Sequence, residues 1–172
     1  VSDPAITRTL VLVRHAQAES WAASDVERAL TPAGTEAAGV LGEWLRDQGI
    51  TPDAALVSGA RRTRETWAAL ADAAGWQLQP AYDDGLYAAG PDTALDLIRF
   101  AATDAATLLV LGHNPTIHFL AQVLSDGTGA AEQTTRLASD FPPASAAVLT
   151  FDVEWARVSE GYGALTAFRP GR

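Results

Sequence analysis

The sequence predicts an α/β protein, a three-layer sandwich with a mostly parallel central sheet between two layers of helices. Three observations predict it. Residues 10–13, 54–57 and 108–111 are short unbroken apolar runs, the pattern of strands buried on both faces, where side chains need not alternate. Between them stand amphipathic segments with cap and stop signals, so strand and helix alternate and right-handed crossovers join parallel strands. Each apolar run also ends in residues that can carry chemistry: Arg14 and His15, then Ser58 ahead of Arg62, then Gly112 and His113. Parallel strands deliver such ends to one sheet edge, where open α/β sheets bind ligands.

Taken in order, residues 10–13 form the first strand and deliver Arg14 and His15. An irregular stretch rich in Ala and Ser follows, with Asp25, Glu27 and Arg28, up to Leu30. Thr31 then Pro32 is a helix start, with Thr as cap and Pro in the first position. That helix continues through Val40, Leu41, Trp44 and Leu45 and stops at Gly49, a left-handed cap residue. Residues 54–57 are the second strand, ending at Ser58 and Gly59; a helix runs from about Ala60 to Ala74, closed by Gly75. Its first turn holds Arg61, Arg62 and Arg64. Cations there oppose the helix dipole, so helix stability does not explain them, whereas binding of an anion does.

Residues 76–79 alternate like a strand, and 82–90 read as a loop with paired acids at Asp83 and Asp84. Pro91 opens another helix, carried by Leu95, Leu97, Ile98 and Phe100. After the strand at 108–111, Asn114 and Pro115 read as cap and first helical residue, with Ile117, Leu120, Ala121 and Leu124 on the buried face. Residues 125–143 read as loop, around Gly127, Gly129 and the Pro142-Pro143 pair. Residues 146–151 and 164–168 are closing strands, read as antiparallel. No repeat, low-complexity tract or linker divides the chain, which predicts a single domain over 1–172.

Composition bounds the chemistry. The 48% hydrophobic and 19% charged content is that of an ordinary globular protein, and no apolar run reaches the roughly 18 residues of a membrane span. Residues 1–9 carry no signal-peptide pattern, so the cytoplasm is the expected compartment; a first residue Val1 rather than Met leaves an upstream segment open. A net charge of −9 argues against nucleic acid or an anionic membrane as partner. All 12 basic residues are Arg, and Cys is absent. Without Lys there is no P-loop or Schiff-base chemistry, and without Cys no thiol nucleophile, thiolate zinc site or disulfide.

Two His and two Arg gathered at one edge suggest a phosphate site. The competing reading is a metal held by His15, His113 and a carboxylate. The flanking arginines repel a cation, and His113 and His118, five apart, do not share a helix face as an i,i+4 pair does. His118 sits among Ile117, Phe119 and Leu120, which reads as structural. No Asp-x-Asp closes the first strand, and neither G-x-S-x-G nor G-x-G-x-x-G is present. Histidine is then the best remaining nucleophile toward phosphorus.

These residues resemble the histidine phosphatases, the phosphoglycerate-mutase-like superfamily. Leu12-Val13-Arg14-His15-Ala16 is similar to its Arg-His-Gly signature with Ala for Gly; Ser58 to Thr66 resembles its second motif, with Arg62 four residues after Ser58. Gly112-His113-Asn114-Pro115 resembles the third, and Asp25, Arg28, Leu30, Thr31 and Gly34 match a common feature after the first. Small size and Gly-His-Asn-Pro most resemble the SixA-like branch of phosphohistidine phosphatases. The resemblance implies a phosphoglycerate-mutase-like fold and a metal-independent phosphatase without a cofactor, acting on the phosphohistidine of a protein. It implies His15 as nucleophile, with Arg14, Arg62, His113 and Asn114 holding the phosphoryl oxygens. The alternatives are a small-molecule phosphomonoesterase and a phosphate-binding regulatory module without turnover; a mutase lacks room for shielding insertions. One departure stands out: the family's Glu proton donor aligns with Gly85. Asp83 and Asp84 are the candidate substitutes, against a solvated turn and no dedicated acid.

Overall fold

The computed structural model describes residues 6–101 and 104–171. Six strands form one sheet in the order β3-β2-β4-β1-β5-β6: β1 (Arg8–Arg14), β2 (Ala54–Ser58), β3 (Ala81–Asp83), β4 (Thr107–Gly112), β5 (Ala146–Phe151) and β6 (Ala164–Arg169). The first four are parallel; β5 runs antiparallel to β1, and β6 antiparallel to β5. The sheet is mostly parallel, as the apolar runs predict. In β1, Leu10 and Leu12 face one hydrophobic layer and Val11 and Val13 the other, all fully buried. That double burial is why the run has no polar alternation.

The helices are α1 (Pro32–Asp47), α2 (Arg61–Ala74), α3 (Pro91–Ala101), α4 (Thr116–Leu124) and α5 (Ala131–Ser139). Leu41 and Leu45 of α1 and Leu70 of α2 pack with Val11 and Val13. Ile98 of α3, Leu120 of α4 and Leu137 of α5 pack with Leu10 and Leu12 on the other face. Local chemistry fixes the ends of α1. The Thr31 side chain accepts the Gly34 N–H at 3.0 Å, and Gly49 takes φ +74° just beyond the helix. Gly34 has a second role: a Cβ there would lie 2.1 Å from the Gln17 carbonyl oxygen. Only glycine lets α1 press against the loop that leaves His15.

Topology places the site. The chain leaves β1 toward the α1 layer and leaves β4 toward the α4 layer, although the two strands are neighbours in register, Arg14 opposite Gly112. Connections that part to opposite faces open a crevice at the carboxyl ends of the two strands. His15 and His113 stand on its two sides.

Five of the sequence expectations change in the structure. Residues 76–79 pair with no strand; Trp76 instead lies against Trp67, ring centroids 6.1 Å apart, so the apolar alternation serves packing on α2. The pairing falls on β3, where only Leu56–Ser58 are met, and a single 3-10 turn at Asp84–Leu86 follows within the predicted loop. The predicted loop at 125–143 contains α5, whose one buried residue, Leu137, gives no periodic apolar stripe. Pro115 is the cap of α4 rather than its first residue, while Asn114 Oδ1 still accepts the His118 N–H at 3.3 Å. In α3 the buried residues are Ala94 and Ile98, and Phe100 is 73% exposed.

Candidate active site

The loop after β1 is held from three sides. The His15 N–H donates to the Gly112 carbonyl at 3.1 Å, and its own carbonyl accepts the Ala144 N–H at 3.1 Å. Ala16 is fully buried and its N–H donates to Thr66 Oγ1 at 3.0 Å; Thr66 Oγ1 in turn donates to the Arg62 carbonyl at 2.6 Å. The strand end that carries His15 is thus bonded to the first turns of α2.

Of the three arginines opening α2, one enters the site. Arg61 pairs with Glu65 at 2.7 Å, and Arg64 Nε donates to the Gly59 carbonyl at 2.8 Å with its guanidinium over the Tyr82 ring at 4.2 Å. Arg62 is buried and turns inward. Its Nε donates to His15 Nε2 at 3.3 Å, its Nη1 to the Asp25 carbonyl at 2.9 Å, and its Nη2 to Asp25 Oδ2 at 3.2 Å with His113 Nδ1 at 3.3 Å. Because Arg is never an acceptor, these contacts fix both imidazole tautomers. His15 Nε2 holds a lone pair and its Nδ1–H donates to the Ala16 carbonyl at 2.7 Å. His113 Nδ1 holds a lone pair and its Nε2–H donates to Ser58 Oγ at 2.8 Å.

Both rings are neutral. Burial is the main cause and lowers His15 from 6.5 to about 4, with the cations Arg62, Arg14 and Arg28 acting in the same sense against the Ala16 hydrogen bond. Burial, His15 and Arg62 together bring His113 to about 3, opposed by Asp25. The ring centroids are 5.2 Å apart.

Arg14 lies near enough to both histidines for its charge to act on them. Its Nη1 donates to the Phe141 carbonyl at 3.0 Å, the same oxygen that accepts from Asn114 Nδ2 at 2.9 Å. Arg14 Nε is buried with no hydrogen-bond partner among the described residues. A buried unpaired donor beside two neutral histidines suits an anion and not a cation. Among the described residues, no group of three or more His, Asp or Glu could hold a metal ion.

The predicted residues Arg14, His15, Arg62, His113 and Asn114 therefore come together. Asp83 and Asp84 are hydrogen-bonded to none of them among the described residues. Asp83 accepts the Gly85 N–H at 2.7 Å, an Asx turn that opens the 3-10 turn. Asp84 lies over Gly59, where a Cβ would stand 1.9 Å from its Oδ1. Two other residues complete the site. Tyr87 presents its ring edge to His113 at 5.4 Å, lies under the Arg62 guanidinium at 5.7 Å, and donates its hydroxyl to Asp25 Oδ2. Asp25 also accepts from Arg28 Nε at 2.8 Å. Asp25 is legible in the sequence as part of the charged stretch that resembles the family feature after the first motif, without a role, and Tyr87 carries no local signal; its role depends on a contact 62 residues away. A cavity of about 160 Å³ lined by Tyr87, His113, Asn114 and Thr116 opens beside these groups. His118 is structural, as predicted: Nε2 donates to the Leu137 carbonyl at 2.6 Å and the ring stacks on Phe141.

Comparison with known proteins agrees with this geometry. The family model described as the histidine phosphatase superfamily (branch 1) matches residues 10–87. An uncharacterized protein of Mycobacterium tuberculosis is 37% identical over 150 residues, covering 87% of this chain and 92% of the relative. The solved structure of the putative phosphohistidine phosphatase SixA from Nakamurella multipartitia superposes with TM-score 0.86 at 36% identity, covering 98% of this chain and 99% of the other. Its counterpart from Agrobacterium tumefaciens gives 0.76 at 30% identity, covering 94% and 97%.

Proposed function

The chain belongs to the histidine phosphatase superfamily, in its SixA-like branch, and we propose that this phosphatase hydrolyses the phosphohistidine of a protein through a phosphohistidine of its own at His15. The observation that carries the nucleophile is the hydrogen-bond pattern of that ring. With Nδ1–H on the Ala16 carbonyl, Nε2 presents its lone pair to the crevice between β1 and β4. No base is needed to activate it, because burial already keeps the ring neutral at physiological pH.

In this reading Arg62 and Arg14 take the equatorial phosphoryl oxygens, and Asn114 fixes the Phe141 carbonyl that orients Arg14. Preorganised donors of this kind stabilise the charge spread over those oxygens in the transition state. His113 joins them when the dianion arrives, because that charge raises its pKa and puts a proton on the Nδ1 that faces Arg62. Water then cleaves the P–Nε2 bond and returns His15 to its free form. No metal or cofactor takes part. Two features support a P–N substrate: the likeness to solved structures of putative phosphohistidine phosphatases, and a loop after β3 in which Asp83 accepts the Gly85 N–H and Asp84 lies over Gly59. An imidazole leaves phosphorus more readily than an alkoxide, which needs a positioned acid.

The test is turnover of a phosphohistidine peptide beside a panel of alkyl and aryl phosphomonoesters, with and without exhaustive chelation. Preference for the peptide, unaffected by chelator, is the expected result. Preference for one alkyl phosphate assigns the protein to small-molecule metabolism.

A further inference from the structure

The phosphoryl transfer just described has a chemical partner with no assigned residue, the leaving group. The loops that follow β1 and β3 meet beside the two histidines where the Tyr87 hydroxyl donates to Asp25. Asp25 Oδ2 accepts from both Tyr87 and Arg62, Oδ1 accepts from Arg28, and the side chain remains 55% exposed. A carboxylate offers about four acceptor positions. Three donors occupy it here, and a phosphoryl oxygen that draws Arg62 Nη2 away frees a further one. An acceptor therefore faces the crevice where a proton donor is missing.

We propose that Asp25 is a catalytic residue that accepts a hydrogen bond from the substrate's imidazole, at the ring nitrogen not bonded to phosphorus. This rests on the phosphohistidine reading above. A phosphohistidine protonated on that nitrogen is an imidazolium, and a carboxylate partner favours the protonated form. His15 Nε2 forms its bond to phosphorus while the substrate P–N bond breaks. The electron pair of the broken bond returns to the leaving nitrogen, and the ring departs as neutral imidazole, keeping its N–H. The positive charge passes to His15, whose Nδ1–H remains on the Ala16 carbonyl. The substrate supplies the proton that a general acid would otherwise give, so neither Asp83 nor Asp84 is required. In the second step water attacks phosphorus, the P–Nε2 pair returns to His15, and phosphate and a proton are released.

The surroundings of Asp25 fit this role. The groups facing it are Arg28, Arg62, Tyr87 and, at longer range, His113. Tyr87 and the arginines hold its carboxyl down to about 2, so it is a carboxylate at any working pH and cannot itself serve as the acid. The same charge repels leaving groups that bear a carboxylate, which makes Asp25 a specificity determinant as well.

The experiment compares wild type and Asp25→Asn on a phosphohistidine peptide and on p-nitrophenyl phosphate, whose leaving group has no ring N–H. Loss of the hydrogen bond is expected to lower the ratio of kcat/KM values, peptide over aryl phosphate, by about 10-fold or more. The alkaline limb of the peptide pH profile should also move to lower pH in the variant. If both substrates slow by one common factor and the limb stays in place, Asp25 only positions Arg62 and the proposal is overturned. A second arm uses wild type alone, with phosphoimidazole and its ring N-methylated form, each rate divided by the spontaneous one. A loss of acceleration of about 10-fold or more with the methylated form is expected, and equal acceleration overturns the proposal. Turnover of p-nitrophenyl phosphate with none of the peptide defeats the phosphohistidine reading itself, a different pattern from either.

Discussion

Arg62 Nε donates to His15 Nε2 across 3.3 Å, so in the ligand-free protein the guanidinium already covers the lone pair that attacks phosphorus. Anion binding and release of the nucleophile are then one event: a phosphoryl oxygen takes the Arg62 N–H, and Nε2 is uncovered. Replacing Arg62 by Ala is expected to cost about 2–4 kcal/mol of transition-state stabilisation. Because Arg62 is buried and bonded to His15, His113 and Asp25, the variant should also lose about 1–3 kcal/mol of stability. Arg62→Lys should keep the charge and still lose most activity, since an ammonium lacks the fork that reaches all three partners. Values of kcat/KM and urea midpoints for the two variants check this.

The tautomer of His15 leads to a covalent prediction. A rapid acid-free quench during turnover should trap a phosphoenzyme stable to alkali and labile to acid, as a P–N bond is. His15→Ala should abolish the label and the turnover together, and His113→Ala should slow both without removing the site of labelling. Label that persists in His15→Ala would falsify the assignment.

Stability should depend on pH in a defined window. His15 and His113 fall from 6.5 to about 4 and about 3 in the folded protein. Between those values and 6.5 the unfolded chain binds more protons than the folded one, so stability rises with pH. Acidification from pH 6.5 toward 4 should therefore destabilise the protein, by at most about 1.4 kcal/mol per pH unit for each histidine. Above pH 6.5 this contribution is constant. Urea unfolding across pH 4.5–8 measures the slope, and His15→Ala should reduce it.

What the sequence shows and hides follows from the range of the interactions. Strands such as 10–13 and caps such as Thr31 are legible because double burial and capping leave marks within a few residues. The gathering of Arg14, His15, Arg62 and His113 is legible because parallel strands put their ends on one edge. Which of Arg61, Arg62 and Arg64 turns inward is settled by the distant partners of Arg62, namely His15, Asp25 and His113, while Arg61 and Arg64 bond locally to Glu65 and the Gly59 carbonyl. The helix α5 is hidden because one buried leucine makes no pattern. Tyr87 is hidden for the same kind of reason, since its partner Asp25 lies in a different loop.

Gly34 gives a test of the packing behind the site. A methyl group there meets the Gln17 carbonyl at 2.1 Å, and backbone cannot yield as a flexible side chain can. Gly34→Ala should destabilise the protein by about 1–3 kcal/mol, the usual cost of overpacking. Activity should fall as well, because Gln17 is two residues from His15. A thermal melt together with kcat separates the effects: a lower Tm with unchanged kcat would show that the loop moves without disturbing the nucleophile.

The last prediction concerns the acids that fail to reach the site. Asp83 spends its carboxylate on the Gly85 N–H, and Asp84 lies over Gly59, so neither is bonded to His15 or His113 among the described residues. A general acid must come within hydrogen-bond reach of the leaving atom, and its loss typically costs 10²–10⁴-fold. Asp83→Asn and Asp84→Asn should therefore change the ratio of alkyl to activated aryl phosphate turnover by less than about 3-fold, far below the loss of a true acid. Asp83→Asn keeps a side-chain oxygen for the Gly85 N–H, so the turn survives and any change is chemical in origin. Alkyl phosphates should be slow in the wild type already, because Asp25 is ionised at neutral pH and the Tyr87 hydroxyl donates its proton to Asp25 Oδ2. A hundredfold drop confined to alkyl phosphates in either variant means that the loop after β3 swings an acid over the bound substrate, and an alkyl phosphomonoester then becomes the better substrate assignment.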